Sequence, residues 1–482
     1  MIKLRDGILS INLSEFDQKP RNSPQSSCSR SALRINPDFA NAYNHRGVAL
    51  QDLKRFDEAL KSYDRALTIA PVHVVALNNR GAVLQDMKRF DESLESYDRA
   101  LSITPDYAEA LYNRGNALRE LNRHDDALDS YERALKIKPD YAEALNNRGN
   151  ALVDLKRLDE ALESYGHAHK IKPDYAEAHL NEGLCRLSSG DFAPGWLEYE
   201  WRWKNEPLTG QLRNFKQPLW LGSEELENKT ILLHGEQGYG DTIQFCRYAR
   251  QVAARGAKVI LEVQPALKNL LQGLEGAATV VGKGEHLPDF DCHCPLLSMP
   301  LAFKADLSNI TNATYLKSDG QKVAAWRSRL NKNGKKIIGL VWSGKPQHKN
   351  DRNRSIPLRE FKGLINDQAD YYCLQKELRA ADKAVLEQAR IKYLGDELTD
   401  FSDTAALVEL MDLVITVDTS VAHLAGAMGK QVWVLLPFNP DWRWLQDRSV
   451  SPWYHSARLF RQPCIGDWTS VLLEVKALAD RI

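Results

Sequence analysis

The chain lacks an excess of either charge: its 482 residues hold 64 Lys plus Arg and 64 Asp plus Glu. A balanced chain has no whole-surface field with which to hold nucleic acid or an anionic membrane. It also lacks an apolar run near the roughly 20 residues that a membrane span needs. Its opening MIKLRDGILSINLSEF is broken by Arg5, Asp6 and Glu15, so no leader core is expected there. Cysteine is sparse, with seven scattered residues, which points to reduced thiols and a cytoplasmic chain. Cys292 and Cys294 flank His293 near His286, but without the paired Cys-x2-Cys spacing of zinc sites.

What the chain has is length for about three domains and a period. Pro37, Pro71, Pro105, Pro139 and Pro173 are each 34 residues apart. Gly47, Gly81, Gly115, Gly149 and Gly183 keep the same interval, as do Tyr63, Tyr97, Tyr131, Tyr165 and Tyr199. Ala66, Ala100, Ala134 and Ala168 keep step. Glycine lets the first helix of each unit approach its neighbour, tyrosine fills the gap, and proline ends the second helix. A 34-residue unit of this kind is the tetratricopeptide pattern, and stacked units form an α-helical solenoid with a concave side. The array is expected over residues 32–204, preceded by a disordered or truncated tail at 1–31. Its last unit carries Pro194 and Gly195 within the second helix and is expected to dock on the next domain through Trp196, Trp201 and Trp203.

Two residues before each repeat glycine stand His45, Asn79, Asn113, Asn147 and Asn181. A row of amides spaced by one repeat either holds an extended peptide by its backbone or is a tolerated polar residue on a solvated face.

After a linker at 205–228 the pattern changes to short apolar runs between helical segments. TILLHG, AKVILEV and ATVVG belong to a first series, expected over 229–318. KIIGLVW, YYCLQ, IKYLG, LVITVD and QVWVLLP belong to a second, expected over 319–482. Such runs predict two parallel sheets covered by helices, with ligands at the carboxyl ends of the strands. That rule singles out three loops. DTSVAHLAGAMG places Thr419 and Ser420 at a helix start, suited either to a diphosphate or to ordinary capping. WSGKPQHKNDRNRS concentrates Lys345, Lys349, Arg352 and Arg354 against Asp351 alone; it suits a small anion, and no interleaved aromatics mark nucleic-acid binding. GEQGYGDT has neither the dinucleotide nor the P-loop order, and its Asp241 is either a general base or a helix cap.

These three motifs in this order resemble the heptosyltransferase-like glycosyltransferases, family nine of the sequence classification, over roughly residues 215–482. The whole layout is similar to protein O-linked N-acetylglucosamine transferases, which bind polypeptide on a repeat solenoid with an asparagine ladder. The resemblance implies a GT-B architecture: two Rossmann-like domains facing a cleft, the first for acceptor and the second for the nucleotide sugar. It implies inverting, metal-independent transfer without a cofactor, from a nucleotide-diphosphate sugar to a hydroxyl acceptor. It implies Asp241 as base and Asp418, Thr419, Ser420 and His423 along the diphosphate. Lys345, Lys349 and Arg352 would stabilise the departing nucleotide, with Gln375 and Lys376 near ribose or phosphates. Gly240 and Ser343 belong to the same strand-end loops. The polypeptide acceptor would lie along Asn79, Asn113, Asn147 and Asn181. Two alternatives stay open: a repeat scaffold with an inactive sugar-nucleotide domain, and a transferase acting on glycan or lipid-linked acceptors.

Overall fold

The computed structural model describes residues 39–205, 213–330, 334–348 and 350–481. The expected tail at 1–31 and Lys349 lie outside the described residues. The chain divides into two compact units, with the boundary between Pro173 and Asp174.

Among the described residues the first unit is four helical hairpins: Ala40–Asp52 with Phe56–Ile69, Val74–Asp86 with Phe90–Ile103, Ala108–Glu120 with His124–Ile137, and Ala142–Asp154 with Leu158–Ile171. Each is held by the periodic glycine and tyrosine. A Cβ on Gly47, Gly81, Gly115 or Gly149 would lie 2.5 Å from the tyrosine ring sixteen residues on. Tyr63, Tyr97 and Tyr131 are fully buried against those gaps. The turn inside each hairpin is also periodic: Lys54, Lys88, Asn122 and Lys156 are left-handed, with φ of 56–59°. Lysine is an unusual residue for that conformation. A further strap joins the hairpins. Arg80 donates to Asp64 Oδ1 of the preceding hairpin and to Ser96 Oγ of its own, and Arg114 does the same to Asp98 and Ser130.

The second unit opens with a fifth hairpin, Ala176–Ser189 and Phe192–Tyr199, closed by a 3-10 turn at Glu200–Lys204. Pro194 falls in the first turn of its helix, where its missing N–H costs nothing. Gly195 packs closely on the first helix, where a Cβ would lie 2.9 Å from Leu187 Cδ2. At Gly183 the clash would be with the Tyr199 backbone, at 2.7 Å, so this last pair packs closer than the earlier ones. Leu187, Phe192, Trp196 and Tyr199 share one buried cluster with strand residues such as Ile231 and Val434. The Trp196 indole donates to the Ala305 carbonyl at 2.8 Å. The fifth repeat is therefore part of the α/β unit rather than the end of the solenoid unit.

The rest is two parallel sheets. The first has strands β1 (Thr230–His234), β2 (Lys258–Val263), β3 (Ala277–Gly282) and β4 (Cys292–Pro295), in the order β3-β2-β1-β4. The second has β5 (Lys336–Val341), β6 (Ala369–Cys373), β7 (Ile391–Tyr393), β8 (Leu413–Val417), β9 (Val432–Leu436) and β10 (Ala457–Arg461), in the order β10-β9-β8-β5-β6-β7. β8 and β9 are buried along their whole length, as strands covered on both faces must be. In each sheet the order reverses beside the first strand: between β1 and β4, and between β5 and β8. Crevices at such reversals, outside the carboxyl ends, are where ligands sit in open α/β sheets. Two strands fall outside the apolar runs that mark the others in the sequence: β4, made of CHCP, and β10. The segment around Leu219–Trp220, expected as linker, belongs to the first sheet's lobe. Leu219 bridges to His293, and Trp220 is buried with its amide on the His293 carbonyl.

Candidate functional site

Three strand ends of the second unit carry the selected loops. The loop after β5 ends in a helical turn, Asp351–Arg354. It is braced from within: buried Asp351 accepts from Arg379 and from Ser355 Oγ, and Gly344 N donates to Ser355 Oγ at 3.1 Å. Gly344 has no room for a Cβ, which would lie 2.5 Å from Arg354 Nη2. Lys345 and Arg352 are exposed on this loop. Arg354 turns inward, and its Nη1 donates to the Asp418 carbonyl at 2.8 Å. The basic loop and the turn after β8 are thus tied together on either side of the β5–β8 reversal.

Beyond Asp418 the helix Ser420–Ala427 begins. Thr419 is extended, with φ −142°, and its side chain caps nothing; its hydroxyl lies 3.2 Å from Thr416 Oγ1. Ser420 is half-buried at the first helical position. His423 is buried, with Nδ1 3.0 Å from the Tyr454 hydroxyl and its ring stacked on Trp444 at 5.3 Å. Burial, aided by the nearby Arg443 charge, lowers its pKa to about 3, so the ring is neutral. The Asp418 carboxyl is pushed up by burial and by the neighbouring Asp441, against the pull of Arg354.

Across from this helix, β1 runs into GEQGYGDT and the helix Tyr239–Phe245. Gly240 sits against the helix Ser420–Ala427: a Cβ on it would lie 2.8 Å from His423 Cδ2 and 3.6 Å from Ser420 Cα. Lys345 Nζ is 5.1 Å from the Tyr239 ring centre. Asp241 makes the capping contact and a second bond that the sequence did not suggest. Its Oδ2 accepts from Gly238 N at 2.7 Å, the helix-capping bond, and its Oδ1 accepts from Arg443 Nη2 at 2.5 Å.

Arg443 is a residue the sequence reasoning missed. It belongs to the loop after β9, which reads PFNPDWRWL, and the rule that selected the other three strand ends covers this one equally. Asp441 in that loop accepts from Arg443 through both backbone N (3.0 Å) and Nη1 (2.8 Å). Burial alone would raise the Asp441 carboxyl, but Arg443 outweighs it and holds it low.

Other expected site residues are committed to structure. Gln375 Oε1 accepts from Trp342 N and Ser343 N, and its Nε2 donates to Ser343 Oγ at 3.1 Å. This knot joins the ends of β5 and β6. Lys376 Nζ donates to the Thr399 carbonyl. Cys292 and Cys294 alternate with His293 along β4, so the two thiols share one face and the imidazole takes the other. His293 Nδ1 lies 3.3 Å from His234 Nε2. Among the described residues no group of three or more His, Cys, Asp or Glu is placed to hold a metal ion.

The amide column is wired between repeats. Asn79 Nδ2 donates to Asn44 Oδ1 of the preceding hairpin, and Asn113 Nδ2 to Asn78 Oδ1. Asn147 Nδ2 reaches the Tyr112 hydroxyl and Asn116 Oδ1, while its own oxygen accepts from Asn146. Part of each amide's capacity therefore goes to repeat stacking. Asn181 is half-buried on the helix Ala176–Ser189, and His45 is exposed.

Tetratricopeptide repeat models match residues 40–72, 72–140, 125–166 and 149–190. Residues 40–190 are tetratricopeptide repeats. Protein FlbA of Caulobacter vibrioides is 25% identical over 312 residues, covering 58% of this chain and 51% of FlbA. The chain thus spans about half the length of that curated relative. Among solved structures, YrrB, described as a TPR protein with an unusual peptide-binding site, is 22% identical. It covers 37% of this chain and 92% of its own, with a TM-score of 0.32. A thermophilic TPR protein of Thermus thermophilus is 23% identical, covering 35% and 92%, also with a TM-score of 0.32.

Proposed function

We propose that the α/β unit is an inverting, metal-independent glycosyltransferase of the GT-B type. In this reading the tetratricopeptide repeats present a polypeptide acceptor to it. The observation that carries the reading is the junction of strand-end loops at the reversal point. Arg354 ties the basic loop to Asp418, and Gly240, next to Asp241 in the chain, packs against the helix start at Ser420.

The chemistry is a single displacement. The acceptor hydroxyl loses its proton to Asp241 as its oxygen bonds to the anomeric carbon from the face opposite the leaving group. The bond from that carbon to the diphosphate oxygen breaks, and the electron pair leaves with the nucleoside diphosphate. Lys345, Arg352 and Arg354, with the first N–H groups of the helix Ser420–Ala427, meet that growing charge.

A panel of UDP-, GDP- and ADP-sugars, assayed for nucleotide release, tests the activity. Mass spectrometry of co-expressed proteins for added sugar tests the acceptor. Asp241→Asn is expected to lower transfer by about 10²–10⁴-fold, the usual worth of a general base, while nucleotide binding persists. Near-normal turnover in that variant would remove Asp241 from the role. One observation favours the rival scaffold reading: Asp241 is already held by Gly238 N and Arg443, with Gly240 closed onto His423. Nucleotide binding without release from any donor in the panel supports the scaffold.

A further inference from the structure

The Arg443 guanidinium is shared between two carboxylates from different sheets, and the two attachments are unequal. Asp441 lies two residues away in the same short turn and also accepts the Arg443 backbone N–H, so it stays with Arg443 while that turn persists. Asp241 comes from the loop after β1 and meets Arg443 through one contact, Oδ1 to Nη2. Arg443 is 7% exposed and its guanidinium lies 4.3 Å from the centre of the Trp442 ring, yet its Nε has no acceptor. A buried guanidinium with an unused N–H is short of acceptors, since its fork carries five donors and is matched by bidentate oxyanions. In the Arg443–Asp241 ion pair the carboxylate is the more open end, with 20% of its side chain exposed against 8% for Arg443. Lys345 lies beside Tyr239, two residues from Asp241, and Arg354 donates to the Asp418 carbonyl, so two further cations stand on the neighbouring strand-end loops.

We propose that Arg443 is a ligand for a phosphoryl anion and is held in reserve by Asp241. When a diphosphate enters, the guanidinium passes from the Asp241 carboxylate to phosphoryl oxygens. Asp441 keeps the arm in place, and Asp241 Oδ1 is left with a free lone pair. Resting on the transferase reading, this sets an order: the donor binds first and thereby releases the base for the acceptor. Asp241 and the anion then compete for one guanidinium. Removing the competitor strengthens anion binding, which is the opposite of what loss of an ordinary site residue does.

Inorganic pyrophosphate and UDP, GDP and ADP are titrated calorimetrically into the full chain and its variants. Asp241→Asn is expected to tighten pyrophosphate binding by about tenfold, and Arg443→Gln to weaken it at least as much. Asp241→Asn added to Arg443→Gln is expected to give no gain. Arg443→Lys, which keeps the charge but loses the fork, is expected to fall between wild type and Arg443→Gln. Unchanged or weaker binding in Asp241→Asn overturns the proposal, as does wild-type affinity in Arg443→Gln or no pyrophosphate binding by any form. Should Arg443→Gln fail to fold, Arg443→Lys takes its place: Asp241→Asn is expected to gain less on the Arg443→Lys background than on wild type, and an equal gain overturns the proposal. The two readings fail separately. Tighter pyrophosphate binding without release from any sugar donor keeps the reserve ligand and removes the transferase. Sugar transfer lost in Asp241→Asn at unchanged pyrophosphate affinity does the reverse.

Discussion

Glu236 enters the loop after β1 with its side chain 3% exposed, beside an Arg202 that is wholly buried. Its Oε1 accepts from Leu297 N and Arg202 Nη2, while Oε2 has no partner. Burial pushes its pKa up to about 7 against the opposing pull of Arg202. The unfolded chain releases this proton near the ordinary carboxylate value, so between there and about 7 the native state holds a proton that the unfolded state has lost. The stability linked to Glu236 is fully present below the unfolded value and falls as pH rises through about 7. Glu236→Gln is expected to remove that slope, gaining on the order of 1–3 kcal/mol over wild type at pH 8 relative to pH 5. Urea midpoints of both proteins across that range check it. Its raised pKa is not readable in the sequence, because it comes from burial, which outweighs the opposing pull of Arg202. Asp241, by contrast, was legible from its position after a strand and a glycine-rich turn. Its bond to Arg443 was not, since the two are 202 residues apart.

At the scale of elements, the periodic columns were readable because each is a local packing rule repeated. The Gly–Tyr column is a volume exchange. Gly115→Ala is expected to cost about 2–4 kcal/mol, since its Cβ would lie 2.5 Å from a fully buried Tyr131 ring. Thermal unfolding of the repeat unit measures this. The repeating arginines and the left-handed lysines obey the same period, but a charged side chain on a helical surface has no packing signature of its own and does not stand out as glycine and tyrosine do. The amide column shows a limit of another kind. Its spacing was visible, but whether an amide faces a guest or the next hairpin depends on a neighbour 35 residues back, such as Asn44 for Asn79. Among strands, those with unbroken aliphatic runs were legible. β4 was not, because CHCP reads as a metal or thiol motif rather than an extended segment.

For the whole molecule, the repeat array and the compact units do not end at the same place. The 34-residue period runs on to Tyr199, whereas the first unit closes at Pro173. A fragment of residues 174–482 is therefore expected to fold and, on the transferase reading, to bind nucleotide as the full chain does. A fragment of residues 205–482 loses Trp196, Tyr199 and Arg202 from the buried interior and is expected to unfold at lower temperature and to aggregate. Melting curves with calorimetric titration of nucleotide compare the two. On the transferase reading, the longer fragment still hydrolyses donor but modifies polypeptide poorly; undiminished protein modification would remove the repeats from acceptor selection. The position of the seam also has a consequence for descent. Modules of 34 residues can be gained or lost upstream of Pro173, each carrying its own glycine, tyrosine and arginine strap. The module that begins at Asp174 is tied instead to the neighbouring body, through Trp196 against Trp442 and Arg202 against Glu236, so its removal or replacement disturbs that body and not only its sister repeats.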